Sequence, residues 1–343
     1  MDENERKVFW ETLCSLDGKD LVADRTKLLA TIKYPQLLYR YRSVNLRSLE
    51  ALQENKLFFS SANHYDDPFD TYLRIDWNKV KSVIAGIDLK SPEVFTQFKT
   101  LCENLNISTD LVESLREKFE NLKMDDLLVS FGNMIEKNIR PKIRQNSFSI
   151  CFSENPCNEN LWLKYANNHT GFCLIYNPYD NDSWLCGKQD KCQNCVVANA
   201  SKSLYPVYYS KEKYDGTQYA IAQAWLTFIC EGLKNMELAQ SFIQNVPMHW
   251  ESEKVSLIKH KCHEYDEEWR ITLGAAPSGS ACLRWIPYGV ILGLRTGFTE
   301  EKLIIRAAMQ AGIKHIYKAY ISPLDKLDAF ELNEKQINQI LNS

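Results

Sequence analysis

A chain of 343 residues with 45% hydrophobic and 25% charged residues has the composition of a folded globular protein, and its length allows about two domains or one domain with insertions. The formal net charge of −3 gives no general reason to expect a nucleic acid or an anionic membrane as a partner, although it is compatible with a local basic groove. The first residues lack the cationic and apolar segments of a signal peptide, and no run of about 18 apolar residues occurs, so we expect no membrane-spanning helix.

The hydrophobic periodicity changes along the chain and predicts five segments. Apolar residues at helical spacing open the chain, interrupt its middle and close it, while short strand-like alternations lie between them. The segments are an N-terminal helical segment (1–36), the first part of an α+β core (37–75), a helical insertion (76–144), the second part of the core (145–322) and a C-terminal helix or tail (323–343). Because strands and helices are interspersed, the pattern favours an α+β fold with a split mixed or antiparallel sheet over an all-parallel sheet.

The first strand of the predicted core covers Leu37–Ser43. Tyr39 and Tyr41 point to one face of this strand, and Arg40 and Arg42 point to the other, because successive side chains alternate. A short amphipathic helix, a second short strand and an acidic, turn-rich loop with the sequence DDPFD follow.

The second part of the core begins with Ser147–Tyr176, around which we expect the fold to be organised. This stretch predicts a strand that ends at Ser153, a polar turn, one or two turns of helix and a returning strand. Trp162 and Tyr165 are three positions apart in the helical turns and therefore share a face. Strand ends and loops of this kind can present polar groups to a ligand.

The remaining pattern adds three predicted helices and further strands. The predicted helices cover Tyr219–Phe242, Val255–Cys262 and Leu303–Ala311. The predicted strands include Asp266–Leu273, Val290–Leu294 and Ile316–Ile321.

Four sequence blocks, taken in order, carry a family resemblance. They are LYRYRS at 38–43, DDPFD at 66–70, CFSENP with the following LWLKYANNHTGFCL at 151–174, and YDEEWRI at 265–271. This set resembles the bacterial proteins grouped as domain of unknown function 2971, from about residue 37 to residue 294. The chain departs from the family pattern at Asp66, Leu161, His263 and Asp266, and it keeps the second acid of the last block as Glu268.

The layout of this family in turn resembles the ADP-ribosyltransferase fold. In that fold an early strand carries an Arg or His, a second strand carries a hydroxyl residue and a late strand carries a Glu. The resemblance implies catalytic positions for Arg40, Ser153 and Glu268, with NAD as the substrate of ADP-ribosyl transfer or of hydrolysis. By the same analogy, the protein would be a bacterial toxin or anti-phage effector with a protein or nucleic-acid acceptor and a regulatory or antitoxin partner.

The chemistry of that reaction suggests a role for each candidate residue. Cleavage of the nicotinamide–ribose bond develops positive charge on the ribose, and a carboxylate such as Glu268 would stabilise that charge. Arg40 would anchor the pyrophosphate, and the Ser153 hydroxyl would bind the ribose or support the glutamate. The remaining candidates for NAD binding supply aromatic walls, a polar turn or the acidic loop and its partner: Tyr39, Tyr41, Trp162, Tyr165, His169, Arg270, Asp67 and Asp70.

Each candidate also has a purely structural explanation. Aromatic residues on a strand or helix are more often part of the core than of a stacking site. Glu268 and Arg270 lie two positions apart on a strand and could form a same-face salt bridge. Asp67 and Asp70 flank a proline, where turn hydrogen bonds are their default role. The ordered set of blocks nevertheless favours a shared pocket.

Two other functional classes stay open on the sequence. A metal-dependent nuclease would gather Asp67, Asp70, Glu264 and Glu268 around magnesium, which prefers oxygen ligands. No lysine motif or strongly basic surface accompanies these acids, which weakens that interpretation. A non-catalytic nucleotide sensor would use the same pocket for binding alone.

Cysteine usage indicates the redox environment. The eleven cysteines are scattered, which favours thiols or metal ligands in a reducing cytoplasm over a disulfide framework. Cys186, Cys192 and Cys195 contain one C-x-x-C pair, so a structural zinc site is an alternative to free thiols there, but the less favoured one.

Overall fold

The computed structural model describes residues 1–86, 91–104, 110, 112–113, 116–117, 123–179, 184–185, 203–232, 234, 236–246, 248–273 and 282–342. Its α-helices are α1 (Glu3–Ser15), α2 (Leu21–Ala30), α3 (Leu46–Gln53), α4 (Trp77–Gly86), α5 (Pro92–Asn104), α6 (Met124–Met134), α7 (Arg140–Asn146), α8 (Glu159–Lys164), α9 (Thr217–Thr227), α10 (Met236–Asn245), α11 (Glu251–Ser256), α12 (Phe298–Gln310) and α13 (Glu334–Asn342). Short π-helical turns cover Ile135–Ile139 and Phe228–Gly232, and 3-10 turns cover Ala62–His64 and Lys261–Asp266.

The strands are short and spread along the whole chain. They are β1 (Leu38–Arg42), β2 (Lys56–Phe58), β3 (Ser60–Ser61), β4 (Phe148–Ser153), β5 (Phe172–Tyr176), β6 (Trp184–Leu185), β7 (Leu204–Pro206), β8 (Tyr208–Ser210), β9 (Ile258–His260), β10 (Glu268–Leu273), β11 (Cys282–Arg284), β12 (Gly289–Leu292), β13 (His315–Ile321) and β14 (Leu327–Glu331).

One large sheet organises the described part of the chain. Its nine strands run in the order β14-β13-β12-β5-β1-β4-β10-β7, with β3 beside β4. The pair β12–β13 is parallel and the other pairs of this sheet are antiparallel. The structure therefore confirms a mixed α and β architecture with a mixed sheet.

The sheet opens between β1 and β4. The register between these strands contains one pair, Tyr39 opposite Ser153. Further along β4, the short strand β3 takes the place of β1 and pairs with Phe148 and Ser149. Between these two contacts the edge of β4 is free of strand pairing, and the backbone oxygen of Cys151 accepts a hydrogen bond from a side chain instead. This opening positions the site described below.

Both faces of the sheet are covered. The larger core contains α1, α2, α3 and α12, whose buried residues include Phe9, Leu28, Leu52 and Ile304. On the opposite face, α8 buries Trp162 against Tyr41 and its neighbours. Helix α1 begins with a capping box formed by the Asp2 and Glu5 side chains, which satisfies backbone N–H groups that a helix start leaves unpaired.

The helices of the predicted insertion pack away from the sheet. The apolar residues of α4, α7 and the π-helical turn before α7 form a second cluster with Ala220 and Ala224 of α9. The helical character predicted for residues 76–144 agrees with α4, α5, α6 and α7. None of the helices in the described ranges is long and apolar enough to cross a membrane.

The predicted helix over Val255–Cys262 is wrong. Helix α11 ends at Ser256, and Ile258–His260 forms β9, which pairs in parallel with β8. An apolar run this short does not distinguish a helix from a strand, and the pairing with β8 decides the outcome. The structure also adds β14, paired with β13, within the stretch predicted as a C-terminal helix or tail.

Candidate active site

A cavity of about 420 Å³ lies at the opening of the sheet. It is bounded by β1, β4, β9, β10, α8 and the loop that contains the DDPFD block. Nine of the eleven predicted site residues line this cavity, namely Tyr39, Arg40, Tyr41, Asp67, Asp70, Ser153, Tyr165, Glu268 and Arg270.

Three of these residues form a row across neighbouring strands. Ser153 at the end of β4 lies opposite Tyr39 of β1 on one side and opposite Glu268 of β10 on the other. Directly opposed residues of antiparallel strands project from the same face, so the three side chains share the cavity face of the sheet. The Ser153 hydroxyl accepts a hydrogen bond from the backbone N–H of Asn155 at 3.2 Å, which leaves its own hydrogen available to donate.

Glu268 is a buried carboxylate with a cation on each oxygen. Arg270 Nε donates to Oε1 at 2.7 Å, and Lys259 Nζ donates to Oε2 at 2.9 Å. Burial alone would raise the pKa of Glu268, but the positive charges of Arg270 and Lys259 outweigh it and hold the pKa well below its ordinary value. Glu268 is therefore an anion at neutral pH and exchanges no proton there.

Arg270 links Glu268 to the acidic loop. Its two terminal nitrogens bind the two carboxylate oxygens of Asp70 at 2.9 and 2.6 Å, a bidentate pair buried from solvent. Arg144 fixes the same loop from outside by donating to the backbone oxygens of Ala62, Pro68 and Asp70. The acid that Arg270 holds is thus Asp70.

Lys259 belongs to this network but was not predicted as a site residue. Besides Glu268, its ammonium group binds Asp266 at 3.0 Å and lies 4.0 Å from Asp70. Two cations, Lys259 and Arg270, thus face three carboxylates, which leaves a net negative charge at this end of the cavity. Residue 259 falls in the stretch wrongly predicted as helix, so the sequence did not point it toward Glu268. A lysine directly after the apolar residues Leu257 and Ile258 is the only local sign of its buried position.

Arg40 reaches the cavity from the other face of the sheet. It adjoins Tyr39 on β1, so its side chain leaves the strand on the face opposite to the row containing Ser153 and Glu268. Its guanidinium carbon lies 5.7 Å from the centre of the Phe152 ring, and Nη1 donates to the Cys151 backbone oxygen at 2.7 Å. The gap between β1 and β4 brings Arg40 to the cavity.

The predicted aromatic wall is only partly present. Tyr39, Tyr41 and Tyr165 line the cavity. Trp162, by contrast, is fully buried, donates its indole N–H to the Pro156 backbone oxygen and meets the Tyr41 ring edge to face. The His169 ring stacks on Trp162 at 5.9 Å. Trp162 and His169 are thus not among the cavity-lining residues, because α8 turns the indole into the core.

Asp67 and Asp70 of the DDPFD loop both line the cavity but have different partners. Asp67 accepts a hydrogen bond from the backbone N–H of Phe69, as the structural explanation of this loop anticipated, and its second oxygen lies 3.5 Å from Nε2 of His263.

Among the described residues, no group of three or more His, Cys, Asp or Glu is arranged to hold a metal ion. Cys186, Cys192 and Cys195 lie outside the described residues.

Comparison with known proteins supports the family resemblance. Residues 161–271 match the family described as Protein of unknown function (DUF2971), a stretch that contains Trp162, Glu268 and Arg270. This match confirms the family resemblance over residues 161–271, which include the LWLKYANNHTGFCL and YDEEWRI blocks. No curated protein and no solved structure matches the chain, so the likeness to the ADP-ribosyltransferase fold stays a prediction.

Proposed function

We propose that the cavity binds NAD or a related nucleotide and that the protein cleaves the nicotinamide–ribose bond, transferring ADP-ribose to an acceptor or to water. The observation that carries the proposal is the row of Tyr39, Ser153 and Glu268 across three neighbouring strands, with Arg40 at the same cavity. An ionised carboxylate and a hydroxyl at one end, with guanidinium groups at the other, suit a ligand that carries both a sugar and phosphates.

The charge state of Glu268 suits one role in this reaction better than another. When the glycosidic bond breaks, its electron pair leaves with the nicotinamide nitrogen and the ribose becomes cationic. A carboxylate that stays ionised can stabilise that cation, whereas its low pKa makes it a poor acid or base near neutral pH. The Ser153 hydroxyl has a hydrogen free to donate to a ribose oxygen. The acceptor or water then forms a bond to the ribose carbon and loses a proton to solvent.

The magnesium-dependent nuclease has less support. Of the acids proposed for it, Asp70 and Glu268 are both paired with Arg270, and Glu264 lies 3.8 Å from Lys261. A magnesium site would first have to displace these cations from the carboxylates. A toxin or anti-phage role rests on analogy with similar bacterial transferases.

The test is release of nicotinamide from NAD by the purified full chain, alone and with cell lysate as a source of acceptor. Glu268→Gln should lower the rate by roughly a hundredfold or more, as loss of a preorganised electrostatic group does. Glu267→Gln is the matched control, because that neighbouring acid lies outside the set of cavity-lining residues. Equal rates for both variants, or no release by the wild type, would overturn the proposal; binding of NAD without release would favour the sensor.

A further inference from the structure

Two arginines of β1 line the cavity, and among the described residues neither has a carboxylate partner. Arg40 is 7% exposed, and the one hydrogen bond that its side chain makes to a described residue goes to the Cys151 backbone oxygen. Its Nε atom is buried and has no hydrogen-bond partner. For Arg42, the described part of the chain provides neither a side-chain hydrogen bond nor an ion pair, although its side chain also lines the cavity.

This arrangement is unfavourable in a protein that binds nothing there. Removing a cation from water is unfavourable unless an anion compensates its charge. Arg270, which is 1% exposed against 7% for Arg40, has Asp70 and Glu268 as partners, and Arg42 is partly buried. Arg40 and Arg42 have each other instead: burial and then the charge of Arg40 lower the pKa of Arg42 to about 9. Burial likewise lowers the pKa of Arg40.

The charges of the cavity are therefore separated. Carboxylates outnumber cations around Glu268, while the described charged residues at the opening between β1 and β4 are the two arginines, Arg40 and Arg42. Two adjacent guanidinium groups offer planar donor forks and two positive charges, which match the several oxygens and the double charge of a phosphate or diphosphate. A single carboxylate would neutralise only one of the two arginines.

We propose that Arg40 and Arg42 form a binding site for a phosphate or diphosphate group, so that the ligand enters the opening of the sheet with its anionic part against β1 and its sugar toward Glu268. The orientation of the sugar rests on the proposed function. The anion site itself requires no reaction and can be tested by binding alone.

The proposal predicts an unusual response to mutation. Arg42→Met keeps most of the side-chain volume but removes an uncompensated charge, so the ligand-free protein should be as stable as the wild type or more stable. The same variant should bind the anion at least about tenfold more weakly, since a charge-assisted hydrogen bond is lost. An arginine with a merely structural role would show the opposite pattern, a loss of ligand-free stability.

The experiment measures thermal unfolding and calorimetric binding of the full chain with inorganic pyrophosphate, ADP and adenosine at constant ionic strength. Pyrophosphate and ADP should bind the wild type and raise its melting temperature more than adenosine does. In Arg42→Met, the affinity and the rise in melting temperature should no longer differ between these ligands and adenosine. Arg47→Met is the control, because this nearby arginine is exposed and rests on the Phe58 ring. Arg40→Lys, which keeps the charge and loses the planar fork, should also weaken binding.

Two results would overturn the anion site. One is pyrophosphate having no effect beyond that of sodium chloride at equal ionic strength. The other is Arg42→Met lowering ligand-free stability while leaving pyrophosphate affinity unchanged. Pyrophosphate binding by a protein that releases no nicotinamide from NAD would support the anion site and count against the proposed glycosidic chemistry, which keeps the two failures distinguishable.

Discussion

Replacement of Lys259 by Met tests whether the ion network behind Glu268 is held in a low-dielectric interior. The variant removes one ammonium group that lies 2.9 Å from Glu268 and 3.0 Å from Asp266, while its side chain keeps a similar length. At an effective dielectric constant of about 20, a contact at this distance corresponds to roughly 6 kcal/mol of attraction. Desolvation of the lysine offsets much of this, and loss of one partner from a buried pair typically costs about 3–5 kcal/mol.

Because Arg270 still neutralises Glu268 in this variant, we expect a loss in the free energy of unfolding at the lower end of that range, about 3 kcal/mol. Urea denaturation at pH 7, followed by circular dichroism, measures it. Lys261→Met is the matched control: this lysine is two positions away and more exposed, and its ion pairs with Glu3 and Glu264 lie at the surface, so little should change. A loss for Lys259→Met as small as that of the control would refute a buried, tightly coupled network.

Three further predictions concern the same cavity. Glu268 has a folded-state pKa below its ordinary value of 4.5, so its ion pairs stabilise the fold above that pH and the stability is lost as the pH falls below it. Urea titrations from pH 6 to pH 3 measure this loss in the free energy of unfolding. The pH dependence should be weaker in Glu268→Gln than in the wild type, by up to about 1.4 kcal/mol per pH unit. Asp70→Asn should lower the free energy of unfolding by about 3 kcal/mol, since it breaks the buried pair with Arg270. Asp67→Asn keeps that pair and should cost far less. Equal losses of stability in thermal unfolding would contradict the structural difference between the two acids. Ser153→Ala should slow nicotinamide release by roughly tenfold or more with little change in melting temperature, because it removes a hydroxyl that would face the ribose; an unchanged rate would remove Ser153 from the proposed mechanism.

The main local elements of the site could be predicted from the sequence. Alternation of apolar and polar residues indicated β1, β4 and β10, and turn-forming residues indicated the acidic loop. The ordered motif blocks placed Ser153 at a strand end and Glu268 on a late strand. These features depend on the period of side chains along one segment, which the chain itself carries. The family match over residues 161–271 agrees with them.

Other features depend on which segments become neighbours. The alignment of Tyr39, Ser153 and Glu268 is a register between three strands that are far apart in the chain, and a shift of one residue would have turned Glu268 away from the cavity. Lys259 joins Glu268 because β9, paired with β8, brings the lysine to the cavity, and that pairing is not contained in any local pattern. Trp162 belongs to the core because α8 lies on the sheet.

The sequence by itself thus determined the mixed α and β character, the strand that ends at Ser153 and the acidic block that contains Asp70. Only the tertiary structure decided that Arg270 binds Asp70, that Glu268 is held as an anion between two cations and that Arg40 lines the cavity at the opening of the sheet. The physical reason is that side-chain periodicity is local, whereas strand register, burial and the choice of ionic partners arise from contacts between distant segments.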